Sequence, residues 1–395
     1  MTTFREPRPA NAAQEPTTSE PLRPTTPRRL WGRPMLYTSY SLEMGLLNTR
    51  SKQVAVAALI VLGLAMPLGV PDEYLNLLAI GCVAAIGAIG LGLVTGYAGQ
   101  VSLGHAFFIA VGAYTAAVIS GNPEGRTIGF GVTSLFVWLP AAGLVAALAG
   151  VLVAPLATRL RGLYLAVVTL GLVFIGEHIF NEWRELTGGS GIGRPAAVPD
   201  LFGYRLNVSG PLFTRDQQLF WLMFVLLIIF AVVARNIARS RVGRAFTAIR
   251  DRDIAAGVMG ISLARYKTVA FAVSSFYAGC AGALLFTISG FFTPNTFNLE
   301  MSVLYIAMVL IGGAGTISGA IMGAFFITLL PRATQFLPSV VPFVGAESTD
   351  VPNVFQLQVV LYGALIIVFL IFEPRGLFGI WLRVRNYWKA WPFSY

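Results

Sequence analysis

The chain has 395 residues, of which 56% are hydrophobic and only 12% charged, and its mean hydropathy is +0.71. Ordinary globular chains are about 45–50% apolar and about 25% charged, so this composition argues against a cytosolic enzyme and predicts a polytopic membrane protein. In such a protein the net charge of +10 is first a signal of topology, and no nucleic-acid partner is expected.

The first 53 residues are rich in Pro, Thr and Arg and show no sustained apolar period. This composition predicts a disordered N-terminal tail. The first apolar run begins only at Val54, which is too far along the chain for a signal peptide.

Apolar segments of spanning length follow, about 20 residues being needed to cross a hydrocarbon core of ~30 Å. The segment at 300–312 is short, as a half-helix would be. The expected fold is therefore all-α, with about ten transmembrane helices, some of them interrupted. The predicted spans are 54–70, 74–95, 101–120, 130–157, 163–181, 217–234, 267–290, 300–312, 316–337 and 355–373.

Basic residues are distributed unevenly between the two sides that ten spans create. With the N-terminus inside, the cytoplasmic pieces hold 22 of the 28 Lys and Arg residues. The positive-inside rule then places both termini in the cytoplasm. The predicted organisation comprises the cytoplasmic tail 1–53, a transmembrane domain 54–380 with an external loop 182–216 and a cytoplasmic segment 235–267, and a cytoplasmic C-terminal tail 381–395.

Two stretches of the chain resemble each other. Both 96–102 and 312–318 read Gly-x-Ala-Gly-x-(Val/Ile)-Ser, and both join one apolar segment to the next. Six spans separate the two copies, so they would share one orientation. Chance and duplication remain open explanations, although repeats with interrupted helices are a common plan of transporters.

The first copy continues as Gly99-Gln-Val-Ser-Leu-Gly-His105. Polar groups at membrane depth usually face protein or a water-filled path, and glycines permit backbone breaks. One interpretation is a broken helix lining a translocation path through Gly99, Gln100, Ser102, Gly104 and His105. The other is a helix hairpin packed through small residues, with the polar side chains bonded to local backbone and His105 as a packing residue.

Residues 240–261 predict an amphipathic cytoplasmic helix, or two short ones, ending at Gly260. Val242, Phe246, Ile249 and Ala256 share one face at a helical period, and Arg244 and Asp251 lie opposite. One alternative is a basic helix lying on anionic lipid. The small residues are better suited to a helix that docks into a groove of another protein; they are Ala248, Ala255, Ala256 and Gly257.

Few residues could carry catalysis or bind a metal. The chain has two cysteines and two histidines, and none of its three lysines follows a glycine. A disulfide framework, a Cys-rich or multi-His metal centre and a Gly-Lys-Ser/Thr phosphate loop are therefore excluded. No cofactor, no metal and no catalytic residue is expected, and any ATP site of that type would have to belong to another subunit.

Four segments together resemble the permease subunits of branched-chain amino acid ABC importers, a family of inner-membrane proteins, in its LivM-like branch. The resemblance covers about residues 54–380 and is carried by these motifs in this order. They are Gly96-Tyr-Ala-Gly-Gln-Val-Ser-Leu-Gly-His-Ala106 with Gly112-Ala-Tyr114; Gly162-Leu-Tyr-Leu-Ala-Val-Val-Thr-Leu170 with Leu186-Thr-Gly-Gly-Ser-Gly191; Gly243-Arg-Ala245 through Ala248-Ile-Arg-Asp251 to Gly260; and Gly312-Gly-Ala-Gly315 with Glu373-Pro-Arg-Gly-Leu-Phe-Gly379.

The resemblance implies a bacterial inner-membrane protein that works with a second permease in a heterodimer, two cytoplasmic ATP-binding subunits and an external solute-binding protein. The 243–260 segment would be the element that couples the ATPases to the spans, through Gly243, Arg244, Ala248, Arg250, Asp251, Ala255, Ala256 and Gly260. The matching motifs add Tyr114, Thr187, Gly188 and Gly189 to the residues expected along the path.

Branched-chain amino acids are the expected cargo, and urea or short-chain amides are an alternative, since their importers have related permeases. An ion-coupled secondary transporter would carry carboxylates at membrane depth, and the predicted spans have acidic residues only near their ends. A membrane-embedded enzyme would need a nucleophile–base pair or a metal cluster, which the sequence does not show.

Overall fold

The computed structural model describes residues 50–160, 162–201, 203–206, 209–210, 213–334, 354–373 and 375–390. The predicted tail at 1–53 lies outside these ranges except for its last residues, and the last five residues of the predicted C-terminal tail are also outside them. The described contacts belong to one compact unit, residues 54–395.

The described chain is helical almost throughout. The helices in chain order are α1 (Arg50–Ala65), α2 (Asp72–Leu91), α3 (His105–Ser120), α4 (Leu135–Arg159), α5 (Leu163–Glu182), α6 (Arg184–Thr187), α7 (Gly189–Ile192), α8 (Arg215–Arg239), α9 (Arg241–Val258), α10 (Leu263–Ser289), α11 (Leu299–Gly312), α12 (Ile317–Thr334), α13 (Val354–Phe372) and α14 (Gly376–Ala390).

Short irregular elements connect these helices. A π-helical turn, Gly92–Tyr97, continues α2, and 3-10 turns at Met66–Leu68 and Pro294–Thr296 follow α1 and precede α11. Four two-residue strands form two antiparallel pairs; they are β1 (Arg194–Pro195) with β4 (Phe291–Phe292) and β2 (Asp200–Leu201) with β3 (Tyr204–Arg205).

Each of the ten segments predicted to span the membrane contains a helix, although residues 130–134 are not helical and 335–337 lie outside the described residues. Among the described residues, seven helices are long and apolar enough to cross a membrane, and the other three segments correspond to the shorter apolar helices Gln53–Leu68, His105–Ser120 and Val359–Phe369. The short segment predicted at 300–312 is extended by its 3-10 turn, so that Pro294–Gly312 has 19 residues. The prediction of an all-α polytopic membrane protein is therefore confirmed.

Two spans begin several residues later than expected, and the one predicted from residue 130 begins only at Leu135. The span expected from residue 101 begins at His105, because Gly99 has a positive φ of 66° and the residues after it form a loop. Helix α14 runs through residue 380, where the transmembrane domain is expected to end, and that boundary stays a prediction.

The centre of the bundle is α10, which packs against α2, α3 and α4. Small residues allow this close approach, as is common between membrane helices. A Cβ on Gly112 of α3 would touch the backbone of Gly279, and one on Gly143 of α4 would lie 2.6 Å from the Cys280 sulfur. The two cysteines are both buried here as small apolar side chains.

Large apolar side chains cover the outside of the bundle. Leu152, Leu163 and Phe372 are 80%, 78% and 78% exposed. Because water would oppose so much exposed apolar surface, these side chains belong in the hydrocarbon core.

If the ten predicted spans cross the membrane in alternating directions, each loop between them lies on a defined side. Loops that lie on the same side contact one another in the structure. At one end, Asn76 Nδ2 donates to Asp216, and Arg215 Nη2 donates to the Ile288 carbonyl, 2.8 Å away. At the other end, Arg250 reaches the carbonyl of Gly96. These contacts agree with an alternating path of ten spans, because that path places the contacting residues on the same side of the membrane.

Candidate functional site

The two copies of the Gly-x-Ala-Gly motif meet in the structure. A Cβ on Gly96 would touch the amide nitrogen of Gly315 and lie 2.8 Å from its Cα. The glycine at the fourth position is left-handed in both copies, with φ of 66° at Gly99 and 81° at Gly315. Glycine adopts this conformation readily because it has no Cβ, so the similarity of the two stretches includes the backbone conformation at this position.

Arg250 of α9 lies between these two glycines. Its Nη1 donates to the carbonyl oxygen of Gly96 at 2.9 Å. A Cβ on Gly99 would be 2.8 Å from Arg250 Cγ, and one on Gly315 would be 3.1 Å from Arg250 Nη1. We call Gly96, Gly99, Gly315 and Arg250 the glycine–arginine junction; it joins α9 to both copies of the motif.

A third chain segment touches the same loop from the other side. A Cβ on Gly313 would lie 2.5 Å from the Arg375 carbonyl oxygen, and one on Gly376 would be 2.6 Å from the Gly313 nitrogen. The Glu373–Gly379 motif thus packs onto the second copy, and Glu373 is paired with Arg383 of α14. Motifs far apart in the sequence therefore form one connected site.

Helix α9 is two helical pieces joined at Arg252, whose φ of −155° and ψ of 96° are not helical. Ser240 caps its start by accepting from Val242 N and Gly243 N. Its end is a turn in which Gly260 has a φ of 84°. The expected pair of short helices ending at Gly260 is what the structure contains.

The expected coupling residues fall on different faces of α9. Gly243 and Ala256 are buried within the chain, and a Cβ on Gly243 would touch the backbone of Ala238 at the end of α8. Both residues help to pack the helix against the rest of the chain, and their part in coupling stays a prediction. Ala248 is half-buried, while the exposed members of the set are Arg244, Arg250, Asp251, Ala255 and Gly260.

Exposed apolar side chains that sequence reasoning missed lie beside Ala255. Ile254, Val258 and Met259 are 71%, 83% and 82% exposed. The expected apolar face of α9 is used for packing against the rest of the chain, so these residues form a second apolar patch at its end. A break in the helical period after Arg252 is the signal that could have revealed them.

The loop at 98–104 follows the junction and is held by local bonds. Gln100 Nε2 donates to the Ala98 carbonyl at 3.2 Å, and the Ser102 hydroxyl accepts from Gly104 N. Leu103 N donates to Thr169 Oγ1 of α5 at 2.9 Å. The polar side chains of Gln100 and Ser102 thus bond to local backbone, as the hairpin interpretation expects.

His105 and Tyr114 are buried on α3 among aromatic rings. The ring centroids of His105 and Tyr305 are 4.9 Å apart, and those of Tyr114 and Phe180 are 4.8 Å apart. Among the described residues, neither His105 Nε2 nor the Tyr114 hydroxyl has a hydrogen-bond partner. Both polar atoms are available to a passing solute or water if the helices separate.

Thr187, Gly188 and Gly189 form a tight turn at the opposite end of the bundle. Thr187 Oγ1 donates to the carbonyl of Phe180 at 2.7 Å, and Gly188 has a φ of 79° where a Cβ would touch the Gly193 carbonyl. Their contacts are local, so the structure does not bring these residues together with the glycine–arginine junction.

The turn leads to Arg194, a buried cation that sequence reasoning did not single out. Its Nη1 donates to the Leu186 carbonyl, and its Nη2 donates to the carbonyls of Ala117 and Ile128, each at 2.5 Å. The Ala117 carbonyl belongs to the last turn of α3, where the helix dipole favours a cation. Burial lowers the pKa of the Arg194 guanidinium, but arginine stays charged at neutral pH.

Replacing Arg194 with methionine should destabilise this end of the bundle. Three carbonyls lose a charged donor, and leaving buried acceptors unpaired costs about 1–3 kcal/mol each. We expect a clear fall in the midpoint of thermal unfolding in detergent. Arg126→Met is the matched control, since Arg126 is exposed in a nearby loop; equal midpoints for the two variants would contradict the role assigned to Arg194.

Comparison with known families gives one match over most of the chain. The model for the permease component of branched-chain amino acid transport systems matches residues 73–370. That range includes the junction and all of α9. No solved structure matches the chain.

Known proteins with similar sequences are named as permeases of transport or import systems. The high-affinity branched-chain amino acid transport system permease protein LivM of Escherichia coli (strain K12) is 29% identical over 347 residues, 84% of this chain and 76% of the relative. The corresponding permease protein LivH is 26% identical over 315 residues, 78% of this chain and 95% of the relative. The autoinducer 2 import system permease protein LsrC of Enterobacter sp. (strain 638) is 29% identical over 291 residues, 72% of this chain and 78% of the relative.

Proposed function

Because this chain belongs to the family of permease components of branched-chain amino acid transport systems, we propose that it forms half of the membrane path of an ATP-driven importer. Its cargo is the branched-chain amino acids, by similarity to the permeases named for them. The chain is a transport component, and ATP hydrolysis belongs to separate cytoplasmic subunits. A second permease forms the other half of the path, and an external binding protein delivers the solute.

The observation that carries the coupling role is the position of Arg250. It lies on the cytoplasmic segment and donates to the carbonyl of Gly96 at the end of α2, beside Gly315 at the start of α12. A push on α9 from an ATPase would reach two membrane helices through one side chain. The exposed patch of Ile254, Val258 and Met259 offers the apolar surface on which such a partner docks.

Both termini and α9 lie in the cytoplasm in this proposal, as the distribution of basic residues indicates. Cysteine substitutions at two exposed positions test the orientation: Arg241→Cys at the start of α9 and Glu124→Cys in the loop after α3. The first should react with a membrane-impermeant thiol reagent only in inverted vesicles and the second only in intact cells. The reverse pattern would show that the orientation is wrong.

An ion-coupled transporter has less support from the structure. The carboxylates of the described spanning helices lie within the first or last two turns; they are Asp72, Glu73, Glu177, Glu182, Asp216 and Glu300. Coupling to Na⁺ or H⁺ usually uses a carboxylate near the middle of the membrane.

Reconstitution with the partner subunits tests the proposed function. Leucine uptake into proteoliposomes should need ATP and the binding protein, and excess isoleucine or valine should compete. Uptake that persists without ATP or the ATPase subunits would contradict an ATP-driven importer. Competition by urea or acetamide but not by isoleucine would instead assign the transporter to the amide class.

A further inference from the structure

Helix α14 carries a strip of exposed apolar side chains. Ile380, Trp381, Val384 and Tyr387 are 40%, 53%, 46% and 63% exposed. Ile380, Val384 and Tyr387 follow the i, i+4, i+7 spacing of one helix face, and Trp381 widens that face. The strip is therefore continuous along about two helical turns.

The rest of the chain packs against the first turn of α14, before the strip begins. Gly376 and Gly379 are buried, and Phe378 lies 3.4 Å from where a Cβ on Gly313 would be. These contacts join α14 to α11 and α12. The exposed strip does not serve packing within the described chain.

Arginines border the strip on both sides. At 100° per residue, Arg383 lies next to Tyr387, and Arg385 lies next to Trp381. Arg383 also pairs with Glu373 at the start of the connection, and Arg385 is exposed. The sequence from Gly376 to Ala390 contains no acidic residue, so the borders of the strip are positive.

The connection to α13 fixes where α14 begins. Three residues separate Phe372, the end of α13, from Gly376. Ile371 and Phe372 are 68% and 78% exposed, so the lipid-facing surface of α13 continues to its last turn. Helix α14 has 15 residues, or about 22 Å at 1.5 Å per residue, which is too short for a ~30 Å hydrocarbon core.

We propose that α14 is a membrane-surface helix whose strip of Ile380, Trp381, Val384 and Tyr387 lies in the interface of the leaflet next to the glycine–arginine junction. Arg385 binds the phosphates of anionic phospholipids there. Aromatic residues prefer this interface, and arginines at the edge of an apolar face extend toward the headgroups. The strip follows directly on the lipid-facing surface of α13, which favours lipid as its contact. A strip that binds a partner protein would have no need for that position.

This placement gives the junction a fixed support. Gly376 packs on the backbone of Gly312 and Gly313, so α14 would hold the second copy of the motif at the membrane surface while α9 moves against it. This consequence rests on the proposed coupling function, whereas the location of α14 does not.

Spin labels at two positions of α14 test the location. Val384→Cys and Asn386→Cys are made in the full chain, assembled with its partner subunits and reconstituted in vesicles; the native cysteines are buried and unreactive. Oxygen should relax the label at 384 several-fold more effectively than a water-soluble nickel chelate does, and the label at 386 should show the opposite preference. Equal access of the chelate to both labels would place the strip in water and overturn the proposal.

An immobile label at 384 that neither reagent reaches would show that protein covers the strip, which also overturns the proposal. The anionic contact has its own test: the label at 384 should lie deeper in vesicles containing phosphatidylglycerol than in phosphatidylcholine alone. Arg385→Gln should remove that difference. A depth that does not depend on the lipid would refute the role of Arg385. None of these readouts requires transport, so they fail or succeed independently of the proposed function.

Discussion

Replacing Arg250 with alanine is expected to lower ATP-driven uptake about tenfold or more, because a hydrogen bond to a charged donor contributes about 1.5–3 kcal/mol and each 1.4 kcal/mol corresponds to about tenfold. The side chain bonds to Gly96 and lies against Gly99 and Gly315. Its loss leaves α9 attached to α8 but separates it from the glycine loops. ATP hydrolysis should continue while transport falls.

The measurement is paired uptake and ATPase activity in proteoliposomes, with membrane insertion checked by the yield of assembled transporter. Arg250→Lys keeps the positive charge but removes the planar guanidinium group with its several N–H donors, so we expect an intermediate loss of uptake. Arg265→Ala is the control, since Arg265 is exposed at the start of α10 on the same side. If Arg250→Ala and Arg265→Ala transport at equal rates, Arg250 does not couple the two elements.

The helical segments of this chain could be predicted from sequence because hydrocarbon requires long apolar helices with satisfied backbones. Every predicted span contains a helix. The start of α3 was placed too early because residues 101–104 are apolar enough for a helix, yet Leu103 N bonds to Thr169 of α5 instead. Such a bond depends on a residue 66 positions away, which a local pattern does not contain.

The candidate site was predictable in parts but not as an assembly. The repeated Gly-x-Ala-Gly pattern and the basic segment were visible separately, whereas their contact through Arg250 depends on how α2, α9 and α12 pack. The same limit applies to Gly243 and Ala256. Small residues suit docking onto a partner and close packing within a chain equally well, and here both are buried.

Arg194 shows the opposite error, since a charged residue in a loop is ordinarily solvated. Its burial depends on three carbonyls from separate segments converging on one guanidinium. The sequence near Arg194 has no carboxylate partner that would have indicated a buried cation.

Replacing Gly96 with alanine is expected to disrupt the junction even though it adds a single methyl group. The new Cβ would touch the Gly315 nitrogen and lie 3.3 Å from the Ala314 carbonyl carbon. These are backbone atoms, so no side-chain rotation can relieve the contact, and overpacking of this kind costs about 1–3 kcal/mol. We expect a lower midpoint of thermal unfolding for the assembled transporter and a loss of uptake.

Gly92→Ala is the matched control, four residues earlier in the same π-helical turn. The nearest atom to its new Cβ would be the Cβ of Ala320 at 3.9 Å, an ordinary van der Waals contact. Alanine also favours a helical backbone over glycine by about 0.5–1 kcal/mol, so this variant should be as stable as the parent or more so. Similar losses in both variants would mean that the turn tolerates no substitution at all, whereas a loss confined to Gly96→Ala would locate the constraint where the two copies of the motif meet.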